Sequence, residues 1–520
     1  MKRASWFARI GVCLLVLSYV TPLLWGQAEK KPAILIVRIA PDALLEIGGV
    51  LTNKTGALRR FESPAIAVNQ RYSYTLRATW MESGQERHAF RKAYFLGGAE
   101  VEVDLRTPDR PQMTDRERLA QKPQPARRPL RPPPLVEEYL QKGQLAKGQT
   151  VLLERLKRSP KDDQARFGLG MLQFVRAVEH LGQSLFRYGL RSDRGQQLNI
   201  PFLRLPVPVN PRPDVCTYAA VRKLFEDLIA DLQKAEDTLA GVKDEQIKLP
   251  LYPGEIRLDF IGDGKSSDRF STILNRYLGG GRNLALDESL LVVFDRGDVA
   301  WLRGYCHLLM ALAEVYLAHD SQDLFDGAGF IFFANAETPH KFLKTIGEEP
   351  RGGFFDVGGA NLLDIAALIH LVRLPVKEPL RMKTALTHLQ KVMALSKESW
   401  KFILAETDDD YEWIPNPQQR GSLGIRVEKR MVDSWLEFVE EGEAILAGKR
   451  LIPFWRGEEK RGINLRRVFT EPRPFDLVLW VQGTAATPYL EEGTLTRAEV
   501  WTRLQRVFGG DFLGFAVWFN

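Results

Sequence analysis

Four oxygen-bearing residues between positions 259 and 268 stand at intervals that a hard cation could use. Asp259 takes the first position of a degenerate calcium loop, Asp263 the fifth and Ser267 the ninth, with Gly264 at the sharp turn. Ile261 stands where such a loop should offer an oxygen and Phe270 where its bidentate carboxylate belongs, leaving Asp268 as a partial substitute. The same residues also read as an ordinary Asp-Gly turn. Gly264-Lys265-Ser266 imitates a phosphate-binding loop in its order of elements, but Asp259 occupies the position of that loop's first glycine.

A second acidic run, Glu406, Asp408, Asp409, Asp410 and Glu412, lies between Trp400 and Trp413. Two carboxylates beside tryptophans could serve sugar hydrolysis as acid and base. The alternative is a solvated helix end, because negative charge at a helix C-terminus is unfavourable and marks that the helix has stopped. Trp435, Trp455, Trp480, Trp501 and Trp518 add to this C-terminal aromatic enrichment, although Trp435 and Trp501 fall on helical apolar stripes and read as core. His307, His319, His340, His370 and His388 are scattered, with no His-Glu-x-x-His pattern, and no Gly-x-Ser-x-Gly elbow occurs. No catalytic or cofactor-binding residue is assigned on this pattern; no cofactor is required, and Ca2+ is the one that the spacing admits.

The elements that must carry these residues change character along the chain. Phe167, Met171, Phe174, Val178, Leu181 and Leu185 form one apolar stripe, and Val221 to Leu239 form another that stops at Gly241. Trp301 to Tyr316 form a third stripe, opened by Asp298. Further helices are predicted over 361–372, 379–405, 428–447 and 496–508, the last with a capping box of Thr496 and Glu499. Ile256–Ile261 reads as a strand and Asp268–Leu278 as a helix. Leu477–Val481 and Phe512–Phe519 are apolar runs that suit strands or buried helix ends. Residues 33–107 instead alternate: Tyr72, Tyr74, Leu76, Ala78 and Trp80 share one strand face, and Glu82-Ser83-Gly84-Gln85 turns the chain back.

Residues 1–28 read as a secretory signal peptide, with Lys2, Arg3 and Arg9 before the apolar Ile10–Val20 and Gly26-Gln27-Ala28 at the cleavage site. The rival, a retained anchor, conflicts with Thr21-Pro22 and with the ~20 apolar residues a span needs. The net charge is +7. Three of those units belong to the signal and five to residues 106–131, which leaves the rest of the chain one unit negative and argues against nucleic acid as a partner. Residues 108–134 contain eight prolines interleaved with arginines and read as a linker. After cleavage the chain keeps only Cys216 and Cys306, which export permits to pair and which otherwise read as buried free thiols.

Val37-Arg38-Ile39 leading into Pro41-Asp42-Ala43, then Gly48-Gly49, Thr55-Gly56, Arg59-Arg60-Phe61, Ser63-Pro64 and Tyr72-Ser73-Tyr74, resembles the short PEGA-like β domain of secreted planctomycete proteins. The resemblance implies an extracytoplasmic, envelope-facing module without known catalysis; it departs at Gly48-Gly49, where an aspartate before the glycine is usual. The paired amphipathic helices resemble tetratricopeptide-like arrays, with Gly168 and Met171 suiting a first repeat helix and His180 replacing the expected small residue.

The expected architecture is therefore α+β multidomain. A signal peptide (1–28) precedes a small antiparallel β-sandwich (33–107), a Pro/Arg-rich linker (108–135) and a large mainly α-helical, tetratricopeptide-like domain (136–520) with an aromatic-rich end. The expected role is an exported, periplasmic or secreted binding or scaffolding protein of the cell envelope, without catalysis and without a transmembrane segment after cleavage. Its partner would be an envelope protein or polysaccharide. The alternative is a hydrolase or binding protein acting on envelope polysaccharide.

Overall fold

A computed structural model describes residues 30–47, 50–63, 66–67, 72–82, 85–96, 98–106, 133–192, 205–266, 268–273, 290–339, 356–357, 360–424, 426–456, 461–508 and 516. Residues 1–29, most of the Pro/Arg-rich stretch and all but residue 516 of the chain beyond 508 lie outside that set, so the expected signal peptide falls outside the described residues. The protein is mixed α/β, about half helical, with small sheets. It divides into two compact units, one within Val20–Arg131 and one within Pro132–Asn520. No described helix is long and apolar enough to cross a membrane.

The first unit holds β1 (Lys30–Lys31), β2 (Ile34–Arg38), β3 (Leu44–Ile47), β4 (Val50–Leu51), β5 (Leu58–Glu62), β6 (Ile66–Ala67), β7 (Tyr72–Glu82), β8 (Gln85–Phe95) and β9 (Glu100–Asp104). These form one sheet ordered β5-β2-β9, another ordered β4-β3-β7-β8, and the pair β1-β6. Alternation places Leu35 and Val37 of β2, Leu76, Ala78 and Trp80 of β7, and Val103 of β9 in a single apolar core. Not every strand pair is antiparallel, which corrects the expectation: β2 and β9 run parallel, Ile34 opposite Glu100 through Arg38 opposite Asp104. They are separated by the whole second sheet, and a crossover that long permits parallel pairing. Arg59 is buried yet satisfied, donating to the carbonyls of Gly56, Pro41 and Ala43.

The second unit is built on α1 (Leu135–Gln141), α2 (Leu145–Arg158), α3 (Asp163–Arg187), α4 (Tyr218–Ala240), α5 (Arg296–Leu317), α6 (Gln322–Phe332), α7 (Leu362–Leu371), α8 (Pro379–Ala405), α9 (Lys429–Leu446), α10 (Leu465–Thr470), α11 (Leu477–Gln482) and α12 (Ala498–Phe508). Two short antiparallel pairs sit between α4 and α5: β10 (Leu249–Leu251) with β13 (Val292–Phe294), and β11 (Arg257–Leu258) with β12 (Asp268–Arg269). The residues around Gly264 thus form a hairpin, with Asp268 on a strand and helical backbone beginning at 270, two residues after the start that the sequence suggests. Asp162 caps α3 through the Ala165 amide and Thr217 caps α4 through the Ala220 amide. Helix α5 begins three residues earlier than its stripe implied, capped by Asp295, so that Asp298 lies inside the first turn. The Thr496 hydroxyl accepts the Trp501 indole N–H at 3.0 Å.

Helices α3, α4, α5 and α8 share the largest apolar core. Within it α5 and α8 run antiparallel, as three polar contacts along their length show: Arg296 to Glu398 at 2.7 Å, His307 to His388 at 2.8 Å, and Glu314 to Arg381 at 2.9 Å. Helix α4 joins the same seam through Glu236, whose two carboxylate oxygens accept from Arg303 at 2.8 and 2.9 Å. At the far end the Arg222 guanidinium donates to the carbonyls of Leu317 and His319, tying α4 to the C-terminus of α5.

Close packing also anchors the β11–β12 hairpin. Phe260 is fully buried against Gly182 of α3, where a Cβ would stand 2.1 Å from the Phe260 ring. Gly182→Ala must displace that ring, so the unfolding free energy is expected to fall by ~1–3 kcal/mol, measurable by denaturant titration; unchanged stability would contradict this packing.

Candidate functional site

The two acidic segments meet different fates. In the 259–268 loop the Asp259 carboxylate is occupied by its own backbone, accepting from the amides of Gly262 (2.7 Å), Asp263 (3.2 Å) and Gly264 (2.7 Å). Gly262 and Gly264 both take positive φ, the conformation that lets the amides point inward. Asp263 pairs with Lys265 at 2.9 Å, and that hydrogen bond holds its carboxyl below the ordinary value. Asp268 accepts the Phe260 amide at 3.0 Å, and burial raises its pKa. Ser267 lies outside the described residues. The carboxylates proposed as cation ligands therefore serve the turn, and Glu179 of α3 completes it by accepting the Asp259 amide at 2.8 Å.

The 406–412 run is split. Asp408, Asp409 and Asp410 are exposed, whereas Glu406 and Glu412 turn inward and meet Asp295. One carboxylate oxygen from each of the three lies within 4.8 Å of the others. Glu406 follows the last residue of α8, Asp295 precedes the first residue of α5, and the antiparallel pairing of these helices brings the two ends together. Glu412 is delivered by the loop after α8, which returns along β13: the Val293 amide donates to the Tyr411 carbonyl at 3.1 Å. Asn416 pins this loop, donating to the carbonyls of Ile403 and Glu406.

Burial dominates the electrostatics. Glu412 is 1% exposed, Asp298 4% and Asp295 5%. Asp295 stands where a negative charge is supported, at the positive end of α5, accepting from the Gly297 amide at 2.7 Å; the Asp298 carboxylate in turn accepts from the Asp295 amide at 3.0 Å. Its neighbours are all shifted toward the protonated form. Burial, the Asp295 charge and a hydrogen bond to Asp295 push Glu406 up to about 9. Burial raises Glu412 to about 7, opposed by the Asp410 amide at 3.0 Å. Asp298 is raised by burial first and then by Asp295. Lys248 pairs with Asp408 at 3.0 Å: burial opposes its charge, but Asp408, Asp295 and Glu412 together raise its pKa.

Four of the C-terminal tryptophans point into the core, while Trp455 and Trp501 are half-buried and Trp518 lies outside the described residues. Trp400, Trp413, Trp435 and Trp480 are buried core residues, and Trp413 packs on Phe294 and Trp301. Cys216 and Cys306 are free, buried thiols, with burial pushing Cys216 up to about 12. In the β unit a cavity of about 270 Å3 opens among Ile34, Leu35, Ile47, Phe61, Tyr74 and Phe95.

No known protein family, curated protein or solved structure matches the chain. Function must be read from the chemistry of these groups. Asp295 and Lys248 had escaped the sequence reading. The Asp295-x-x-Asp298 spacing before an apolar stripe is a capping signal, but nothing local announces that it meets Glu406 and Glu412.

Carboxyls raised by burial stabilise the folded state while protonated, an advantage present at low pH and lost as pH rises toward the folded pKa. For Glu406 that loss extends from about 4.5 to about 9. Glu406→Gln keeps the shape and removes the ionisation, so Tm is expected to match the parent at pH 5 and exceed it by about 2–4 °C at pH 9. Parallel Tm–pH curves for the two proteins would refute the buried proton on Glu406.

Proposed function

We propose that the chain is an exported, extracytoplasmic binding or scaffolding protein of the cell envelope, without catalysis. The observation that carries this reading is the crowding of Glu406 against the buried Asp295 and Glu412. Hydrolysis of a glycoside needs two carboxyl groups ~5–10 Å apart with the sugar between them, whereas these oxygens crowd within 4.8 Å, and Glu412 is closed off from solvent. Acids used in this way hold helix ends together. The apolar cavity of the β unit supplies a ligand-sized recess, and the PEGA-like resemblance of that unit supports an envelope-facing role. In this proposal the strands form a small sandwich, the Pro/Arg-rich stretch is a spacer, and the helices form a tetratricopeptide-like array offering partner surface. The partner is an envelope protein or polysaccharide, and no cofactor is required.

The second reading, a polysaccharide hydrolase, rests on one fact: Glu406 and Glu412 do converge, and both hold raised pKa values. One experiment separates the two. The secreted full chain is incubated with purified envelope polysaccharide and with washed envelope fragments; it is expected to co-sediment without releasing reducing ends. Release of reducing ends that Glu406→Gln abolishes would establish the hydrolase, and failure to sediment with either material would overturn binding. N-terminal sequencing of the exported product is expected to begin at Glu29, and a retained leader would overturn export. Melting curves with and without chelator are expected to coincide; a chelator-dependent fall in Tm would restore Ca2+ as a ligand.

A further inference from the structure

The seam between α5 and α8 contains a polar pair that none of the functions above uses. His307 of α5 and His388 of α8 approach through their Nδ1 atoms at 2.8 Å, with ring centroids 5.1 Å apart. A histidine ring nitrogen donates when protonated and accepts when not. At this separation one Nδ1 must carry a hydrogen and the other must not. The arrangement accommodates two neutral rings or one charged ring. Two charged rings would place two N–H donors face to face with no acceptor between them.

The surroundings offset a second charge only in part: Glu236 raises the His388 pKa by less than burial and His307 lower it. From α4, Glu236 lies 3.3 Å from His307 Nε2, near enough for ion pairing though not aligned as a hydrogen bond. Both oxygens of that carboxylate already accept from Arg303 of α5. Cys306 beside them is a buried thiol whose pKa burial raises, so it stays neutral. From α8, Glu398 is engaged by Arg296 at 2.7 Å. His307 and Glu236 are both buried.

We propose that the His307–His388 pair is a proton-sensitive latch: acidification that charges both rings breaks the Nδ1–Nδ1 contact and separates α8 from α5. Burial, and then His307, hold His388 down at about 4 against an ordinary value of 6.5. Its depressed pKa means that the closed seam is fully favoured above 6.5 and loses that advantage as pH falls through about 4. An exported chain that meets acid would thereby expose core surface between two of its central helices.

The test follows tryptophan fluorescence of the full chain from pH 7 to pH 3, since Trp301 and Trp400 lie on the two helices. His388→Gln keeps hydrogen bonding without a titratable charge and is expected to move the acid midpoint down by about one pH unit. The control His370→Gln, at an exposed position, is expected to leave it in place. A His388→Gln midpoint that coincides with the parent's, or an equal shift in the control, overturns the latch. Should His388→Gln fail to fold, histidine-labelled NMR of the unaltered protein decides the matter. One ring titrating near pH 4 supports the latch, and all seven histidines titrating near 6.5 overturn it.

Discussion

The helical unit depends on one constraint: α5 and α8 lie antiparallel, and their ionisable groups are turned into the seam they share. An ionised group removed from water is costly unless a partner or a proton compensates it. Each stretch of the seam meets this demand differently. Arginines answer Glu398, Glu236 and Glu314, one hydrogen joins the two histidines, and the raised pKa values of Glu406 and Glu412 reduce the like charge around Asp295. The geometry of the whole core follows, because α4 is held by Glu236 and Arg222 to the same two helices.

The same seam explains how acids of the 406–412 run are accommodated beside the core. Negative charge at the C-terminus of α8 is unfavourable in isolation. The N-terminus of α5 beside it reverses the local field, and Asp295 occupies the favourable end of that field as a cap. Glu406 is tolerated next to it as an uncharged donor. The exposed Asp408 to Asp410 remain in water, where their charge costs little.

Much of this was legible in local pattern. The stripe from Phe167 to Leu185 became α3, the stripe ending at Gly241 became α4, and the alternation from Tyr74 to Trp80 became an inward-facing strand side. Local pattern works there because burial follows period. It failed where partners are remote in sequence. Asp295 shows only its helix cap, and the antiparallel docking of α5 on α8 is what assigns it Glu406. His307 and His388 carry no spacing signal for the same reason. In the 259–268 loop the spacing of the acids was legible but their partners were not: Asp259 accepts the amides of its own turn, Asp263 pairs with Lys265 and Asp268 accepts the Phe260 amide.

The parallel pairing of β2 with β9 also sets an order of events for the β unit. As the chain emerges from the ribosome, β2 can pair with β5 soon after both appear, yet its other edge finds no partner until residues 100–104 follow. For that interval the nascent unit carries an apolar central strand, Ile34 to Arg38, with one open row of amides and carbonyls, the kind of edge that recruits foreign strands. Truncation anywhere before residue 100 should therefore yield an aggregating fragment, whatever the sequence of the lost strand.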